Sequence, residues 1–247
     1  MNLQNIFNKS LSGKDKLVLL EGLHAVKHAY RFGAEFEKLI SPDKGELLSL
    51  ASKLAPDIVD FLDKRTEEVS AEEYTRIFPH NLHGRIAALA RRAKKSDELS
   101  GVAVWIENPN SINNFGAVIR VLAARGVKSL LVSGAEFSAW HKDALRTGAG
   151  LHFALDNIFD FKDAKEALGF LSERDYKIAA LDPTGQVPQR KHKLNEKICF
   201  TFGTERDGLS DLLKKHSNLI YKIPMQEKVS SLNLATSVAA FLYGWVE

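Results

Sequence analysis

The chain has 247 residues, 45% of them hydrophobic and 26% charged, enough apolar material for one large domain or two modest ones with ordinary globular composition. No apolar run approaches the ~20 residues that span a bilayer, and the N-terminal MNLQNIFNKSLSGKDK lacks the apolar core of a secretion signal, which points to the cytoplasm. A single cysteine, Cys199, excludes an intramolecular disulfide and argues against a cysteine-based metal cluster, while a formal charge of +3 permits a polyanionic partner without requiring one.

In chain order, residues 17–20 read as a short buried strand and residues 22–32 as a helix with Ala25, Val26 and Ala29 on one face. A strand near residues 38–40, a helix over 46–54 and a helical segment over 85–95 complete an α/β unit able to fold alone. The polar stretch 93–101, ended by Ser100 and Gly101, is the best linker. It divides the chain into residues 1–96 and 101–247. Beyond it, residues 102–106 form a buried-strand pattern, and residues 116–124 carry Ala117, Val118, Val121, Leu122 and Ala124 at helical spacing. Strands at 129–132, 177–181, 198–202 and 219–221 then alternate with helices at 161–171, 209–215 and 232–243. Such alternation predicts a mostly parallel sheet covered by helices.

Two basic clusters stand out. Arg76, Arg85, Arg91, Arg92, Lys94 and Lys95 lie between Glu73 and Asp97 with no acid among them, and Arg190, Lys191, His192 and Lys193 are consecutive. Each reads equally as a nucleic-acid contact or as a solvated surface. His24, at a helix start, reads as structural. Trp105 and Trp140 read as packing residues, with Trp140, if exposed, a platform for a base.

The common phosphate-cradling signatures are absent: no Walker loop is present, and no Gly-x-Gly-x-x-Gly follows a predicted strand. Three other segments carry the chemistry. The first holds Asn114, Gly116 and Arg120. The second is Gly203-Thr204-Glu205-Arg206-Asp207-Gly208-Leu209-Ser210, directly after a strand. The third is Ile223-Pro224-Met225 followed by Ser231-Leu232-Asn233, at the start of an amphipathic helix. Sharp turns after strands present backbone amides and carbonyls to a ligand, and ligands bind at such strand ends in α/β domains. Taken singly, Asn114 and Ser231 could be helix caps, Glu205 a first-turn acid and Arg120 a solvated helix residue. Independent caps would not reproduce three spacings in order.

Together these segments resemble the three motifs of the SpoU (TrmH-type) RNA 2′-O-ribose methyltransferase family of the SPOUT superfamily. In that family an Asn precedes a small residue by two and an Arg by six; the second motif is Gly-x-Glu-x-x-Gly-Leu-Ser; the third joins Ile-Pro-Met to Ser-Leu-Asn. All three are present, with two departures: the first motif usually runs from an acid through Pro and one residue to its Asn, whereas residues 107–113 make a longer approach to Asn114, and Phe115 replaces a smaller aliphatic. The resemblance covers residues 101–247 well. It is looser upstream, where Glu21-Gly22-Leu23-His24-Ala25-Val26 looks like the start of the small ribosomal-protein-like α/β domain that many members carry for substrate RNA.

The resemblance implies a deep trefoil knot from about residue 198 to the C-terminus, a homodimer through the knot region, and S-adenosyl-L-methionine (AdoMet) held by the backbone at Gly203, Ile223 and Leu232. It implies methyl transfer to a ribose 2′-hydroxyl of rRNA or tRNA, with rRNA favoured, and no metal. Arg120 then grips the target phosphate or stabilises the developing alkoxide, being too basic to serve readily as the base. Asn114, Ser231 and Asn233 orient backbone and ribose, and Glu205 holds loop or arginine geometry. A catalytically silent RNA-binding or ribosome-assembly protein on the same fold is the alternative.

Overall fold

The structure is a computed structural model and describes residues 3–78, 85–92, 98–204 and 207–247. The chain forms two compact units, Met1–Ala93 with Trp140–Ala154, and Lys94–Ala139 with Leu155–Glu247. The second stretch of the first unit differs from the division at residues 96–101 that the sequence suggests; part of that linker, 93–97, lies outside the described residues.

The first unit contains α1 (Leu3–Ser10), β1 (Leu17–Glu21), α2 (Leu23–Arg31), β2 (Phe36–Ser41), α3 (Lys44–Leu54), α4 (Val59–Arg65), β3 (Thr66–Glu68), α5 (Ala71–Ile77) and β4 (Ala87–Arg91). Its sheet runs β1-β4-β2-β3, with β4 antiparallel to both β1 and β2, and β2 parallel to β3. Phe7, Leu19, Ile40, Tyr74, Ile77, Phe78 and Leu89 make one core. Asp43 and Ser70 cap α3 and α5 by accepting the amides of Glu46 and Glu73.

The helix expected over 85–95 is instead a strand. Ile86-Ala87-Ala88-Leu89-Ala90 has the composition of a helix, but β4 is a central strand, bonded on both edges and buried on both faces, and that tertiary setting overrides propensity. Three of the arginines in this basic region are paired with acids: Arg76 with Glu72 at 3.2 Å, Arg85 with Glu46, and Arg91 with Glu35 and Glu37. Lys94 and Lys95 lie outside the described residues.

Residues 140–154 complete this unit through α7 (Lys142–Thr147) and a 3₁₀ turn at Leu151–Ala154. Helix α7 lies against β1, and the 3₁₀ turn against α2. Two glycines permit the approach. A Cβ on Gly13 would stand 2.1 Å from the Trp140 carbonyl carbon, and one on Gly150 would stand 2.3 Å from the Ala25 oxygen. The amide of Lys142 donates to the Leu11 carbonyl at 3.1 Å, and His28 Nδ1 lies 2.9 Å from the Ala149 oxygen. Trp140 is buried against His152 and Phe153, so it is a packing residue and not an exposed platform for a base.

The second unit is a six-stranded, wholly parallel sheet in the order β10-β8-β9-β5-β6-β7. Its elements are β5 (Ala103–Glu107), α6 (Ile112–Arg125), β6 (Ser129–Ser133), β7 (Asn157–Phe161), α8 (Ala164–Ser172), β8 (Lys177–Gln186), β9 (Ile198–Phe202), α9 (Asp211–His216), β10 (Leu219–Tyr221) and α10 (Leu234–Trp245). The predominantly parallel α/β sheet expected from alternation is therefore present. Strand β7 was hidden in the sequence because Asn157-Ile158-Phe159-Asp160-Phe161 is a half-exposed edge strand whose last residue also suits a helix start. Trp105, Leu131, Ala167, Leu171, Cys199 and Leu213 form the core under α8 and α9. Helices α6 and α10 pack together, and Phe241 of α10 meets Phe200 of β9 at 4.8 Å between ring centres.

After α10 the backbone runs beside residues 192–194. His192 N donates to the Trp245 oxygen at 2.7 Å, Glu247 N to the His192 oxygen at 2.8 Å, and Leu194 N to the Glu247 oxygen at 2.8 Å. This explains much of the second basic cluster. His192 is buried between Glu196, 3.0 Å from Nδ1, and Tyr221, 3.2 Å from Nε2. Arg190 forks onto the same Glu196 at 2.8 and 2.9 Å, and this contact, with the Lys193 amide, holds the Glu196 carboxyl well below the usual range despite partial burial.

Candidate active site

Strand order reverses between β5 and β9: the chain builds outward through β6 and β7, then returns to lay β8, β9 and β10 on the other side. In open parallel sheets the crevice for a ligand opens at the carboxyl ends of the strands beside such a reversal. Here it does so through a local irregularity. Strand β8 pairs with β10 up to Ala180 and Ile220, then resumes with Gln186 opposite Tyr221. Residues 181–185 bulge away, and Leu181, Asp182 and Pro183 of this segment, with Phe202, Gly203, Thr204, Ile223, Met225, Ser231, Leu232 and Leu234, help enclose a cavity of about 290 Å3.

Four residues singled out in the sequence thus share one cavity: Gly203, Ile223, Ser231 and Leu232. Gly203 is fixed by geometry. A Cβ there would stand 2.0 Å from the Gly208 oxygen and 2.5 Å from the Leu209 nitrogen, both backbone atoms that cross it. The loop from Lys222 to Asn233 has little secondary structure of its own, and among the described residues the backbone groups of Ile223, Met225 and Leu232 make no hydrogen bond. Those groups are available to a ligand, beside apolar side chains suited to a flat ring.

Asn233 caps α10, its Oδ1 accepting the amides of Ala235 at 2.9 Å and Thr236 at 3.4 Å. Because Oδ1 is engaged, Nδ2 faces away and donates to Asn114 Oδ1 at 3.0 Å. The first and third segments are therefore tied together by a direct amide pair. Asn114 is helical, not part of a long loop: Ser111 caps α6 by accepting the Asn114 amide at 3.3 Å, which shortens the approach from β5 to residues 108–111. Asparagine-rich sequence conceals this start, since asparagine is a poor helix former and four of them precede Phe115 after Glu107.

Arg120 stands apart. It is exposed on α6, and among the described residues it has no ion-pair partner and does not line the cavity. At 100° per residue it lies about 120° around the helix from Asn114 and almost in line with Asn113, which is also exposed. Glu205 falls outside the described residues.

The sequence reading missed two residues. Glu107, the first residue of the approach to Asn114, is 2% exposed at the end of β5. Its carboxylate accepts the Ser210 amide at 2.8 Å and the Ser210 hydroxyl at 2.6 Å, while Ser210 caps α9 through the Leu213 amide. A buried charge persists only when bonded in this way, and the bonds tie the end of the second segment to the strand that leads into the first. Glu107→Gln is expected to destabilise the fold by about 1–3 kcal/mol, because an amide cannot accept both Ser210 donors as a carboxylate does; an unchanged urea midpoint would refute this role.

The second is Asp182, in the bulge of β8. Its Oδ1 accepts both the amide and the hydroxyl of Thr184, at 2.9 and 2.6 Å, and Lys214 Nζ stands 3.8 Å from Oδ2. Burial disfavours its charge, yet the Thr184 hydrogen bonds and the Lys214 ammonium outweigh that cost, so its carboxyl titrates below the usual range. An Asp-Pro-Thr turn after a strand was the available signal.

The sequence profile of the SpoU rRNA Methylase family matches residues 101–243. The chain belongs to the SpoU family. This SpoU protein is 25% identical over 243 residues to the 23S rRNA (adenosine(1067)-2′-O)-methyltransferase of Streptomyces azureus, an alignment covering 92% of this chain and 85% of that one. Its fold is similar to that of the SpoU methyltransferase AviRb from Streptomyces viridochromogenes, solved in complex with AdoMet, with a TM-score of 0.77, 21% identity and coverage of 98% and 96%. An AdoMet-bound rRNA methyltransferase from Sinorhizobium meliloti gives 0.72 at 19% identity, covering 97% and 90%. Both likenesses describe the fold of this SpoU chain, over both of its units.

Proposed function

We propose that this protein methylates a ribose 2′-hydroxyl of structured RNA using AdoMet, with rRNA the favoured target. One observation carries the reading: in a SpoU chain, the second and third sequence segments converge on a cavity at the strand ends, and Asn233 binds the third segment to Asn114 of the first. The names of relatives favour rRNA.

The cavity fits the cofactor's chemistry. It offers apolar walls for a purine, open backbone groups at Ile223 and Leu232 for its edge, and a backbone wall at Gly203, where the loop crosses itself at residues 208 and 209. When bound, AdoMet supplies an electrophilic methyl group. The protein must then orient a 2′-hydroxyl and help its proton leave, because a neutral hydroxyl is a poor nucleophile. Arg120, exposed and forked, grips the adjacent phosphate or stabilises the alkoxide. Asn114 and Asn233 hold their shared geometry, Ser231 faces the ribose from the cavity wall, and Glu205 orders the loop or the arginine.

Residues 1–96, joined by 140–154, serve as the RNA-binding domain and the remainder of 101–247 as the methyltransferase domain, with the knot in residues 198–247. The pairing of the last residues beside His192–Leu194 supports the knot. The active form is a homodimer through this region, where Val229 and Tyr243 leave apolar surface exposed. Among the described residues no helix is long and apolar enough to cross a membrane. Methylation of rRNA or tRNA is work for the cytoplasm, where the protein acts on this reading.

The test is tritium transfer from labelled AdoMet into rRNA and tRNA prepared from cells lacking the gene, followed by alkaline hydrolysis. Label in an alkali-resistant dinucleotide from rRNA is the expected result. No incorporation into either RNA by protein that binds AdoMet in calorimetry would favour the silent RNA-binding alternative.

A further inference from the structure

Three charged side chains are described on the cavity wall: Asp182, Asp207 and Lys222. Asp207 and Lys222 are exposed, whereas the Asp182 side chain is only 12% exposed. That sequestered carboxylate is half used. Thr184 saturates Oδ1, but the contact to Oδ2 is Lys214 at 3.8 Å, beyond hydrogen-bond length, and the same ammonium lies closer to Asp211 at 3.3 Å. The wall therefore carries two acids and one base around apolar surface, and the described contact at Asp182 Oδ2 is the long ion pair to Lys214, which leaves that oxygen without a close donor among the described residues.

This pattern is the complement of the methyl donor, which carries a sulfonium, an ammonium and a carboxylate. Transfer moves the methyl group, bonded to sulfur, onto the ribose oxygen; the S–C electron pair stays on sulfur and the hydroxyl proton departs. The sulfonium becomes a neutral thioether. The substrate form is thus one positive charge richer than the product form, in a cavity whose described charged residues sum to one negative charge. In a partly dehydrated site that difference is weakly screened.

We propose that Asp182 is a specificity-determining residue that ranks AdoMet above its demethylated product, S-adenosylhomocysteine, and so favours exchange after each turnover. The inference rests on the methyltransferase reading above. Thr184 occupies Oδ1 with its amide and hydroxyl, and the preference follows from the charge of the carboxylate on the cavity wall, not from this anchor.

The experiment is isothermal titration of the wild-type protein, Asp182→Asn and Thr184→Ala with AdoMet and with S-adenosylhomocysteine, without RNA. Asp182→Asn is expected to weaken AdoMet about tenfold and the product less than twofold, collapsing the preference, while Thr184→Ala, which keeps the charge, retains it. Equal weakening of both ligands by Asp182→Asn would show that the residue only shapes the bulge, and unchanged affinities that it does not face the ligand; either overturns the inference. Loss of the preference in Thr184→Ala would overturn it as well. A wild-type protein that binds neither nucleoside removes the methyltransferase reading itself, an outcome distinct from selectivity that survives Asp182→Asn.

Discussion

Arg120→Ala is expected to slow methyl transfer about a thousandfold while leaving AdoMet affinity within about twofold. The magnitude follows from what removing one preorganised donor at a developing oxyanion costs, on the order of 10²–10³ in rate, with a further loss if the same fork also grips phosphate. The selectivity follows from position: Arg120 projects from the exposed face of α6 and is not on the cavity wall. Its removal should barely alter stability, since substitutions on an exposed helix face usually stay within about 0.5 kcal/mol. Arg120→Lys should recover only part of the rate, because an ammonium restores charge without the planar fork. Single-turnover transfer and calorimetry separate the two effects. Equal loss of rate and cofactor affinity would make Arg120 a support of the pocket instead.

Gly203→Ala should act in the opposite way, through the fold. The added methyl would lie 2.0 Å from the Gly208 oxygen and 2.1 Å from its carbonyl carbon, and backbone cannot rotate aside as a side chain can. A loss above about 3 kcal/mol is expected, beyond the usual effect of a point substitution, which for a protein of this size corresponds to roughly 6–12 °C in melting temperature. Gly208→Ala is the internal comparison. Nothing lies within 4 Å of a Cβ there, and its cost is the left-handed backbone at φ +63°, about 1–2 kcal/mol. If the two variants melt together, the crossing at residue 203 relaxes freely and the steric argument fails.

The sequence disclosed the parallel unit because its strands are continuous apolar runs separated by amphipathic helices, and because its functional turns follow those strands directly. It misjudged β4, where alanine-rich sequence is held extended by neighbours on both edges, and the start of α6, where a serine cap rescues an asparagine-rich turn. The sequence suggests Ser231 as the cap of α10, but Asn233 fills that place, and its second bond, to Asn114 across 119 residues, has no local signal. Glu107 and Asp182 share this property. Each is an ordinary acid in its local sequence and acquires its role from partners, Ser210 for one and a cavity for the other, that only the folded chain supplies. Residues 140–154 were hidden for a related reason, since nothing local marks a helix that packs against a strand more than a hundred residues earlier.

That late-arriving helix has a consequence for biosynthesis. The four strands of the first sheet have all been translated by Arg91, yet α7, which lies against the edge strand β1, begins only at Lys142. At roughly 5–20 residues per second a ribosome needs several seconds to close that gap. Throughout it the nascent sheet has a bare flank, the kind of surface that invites pairing with another chain. A gene fragment cut at the apparent linker would make that transient state permanent, so a soluble version of the first unit must carry residues 140–154 grafted back onto it.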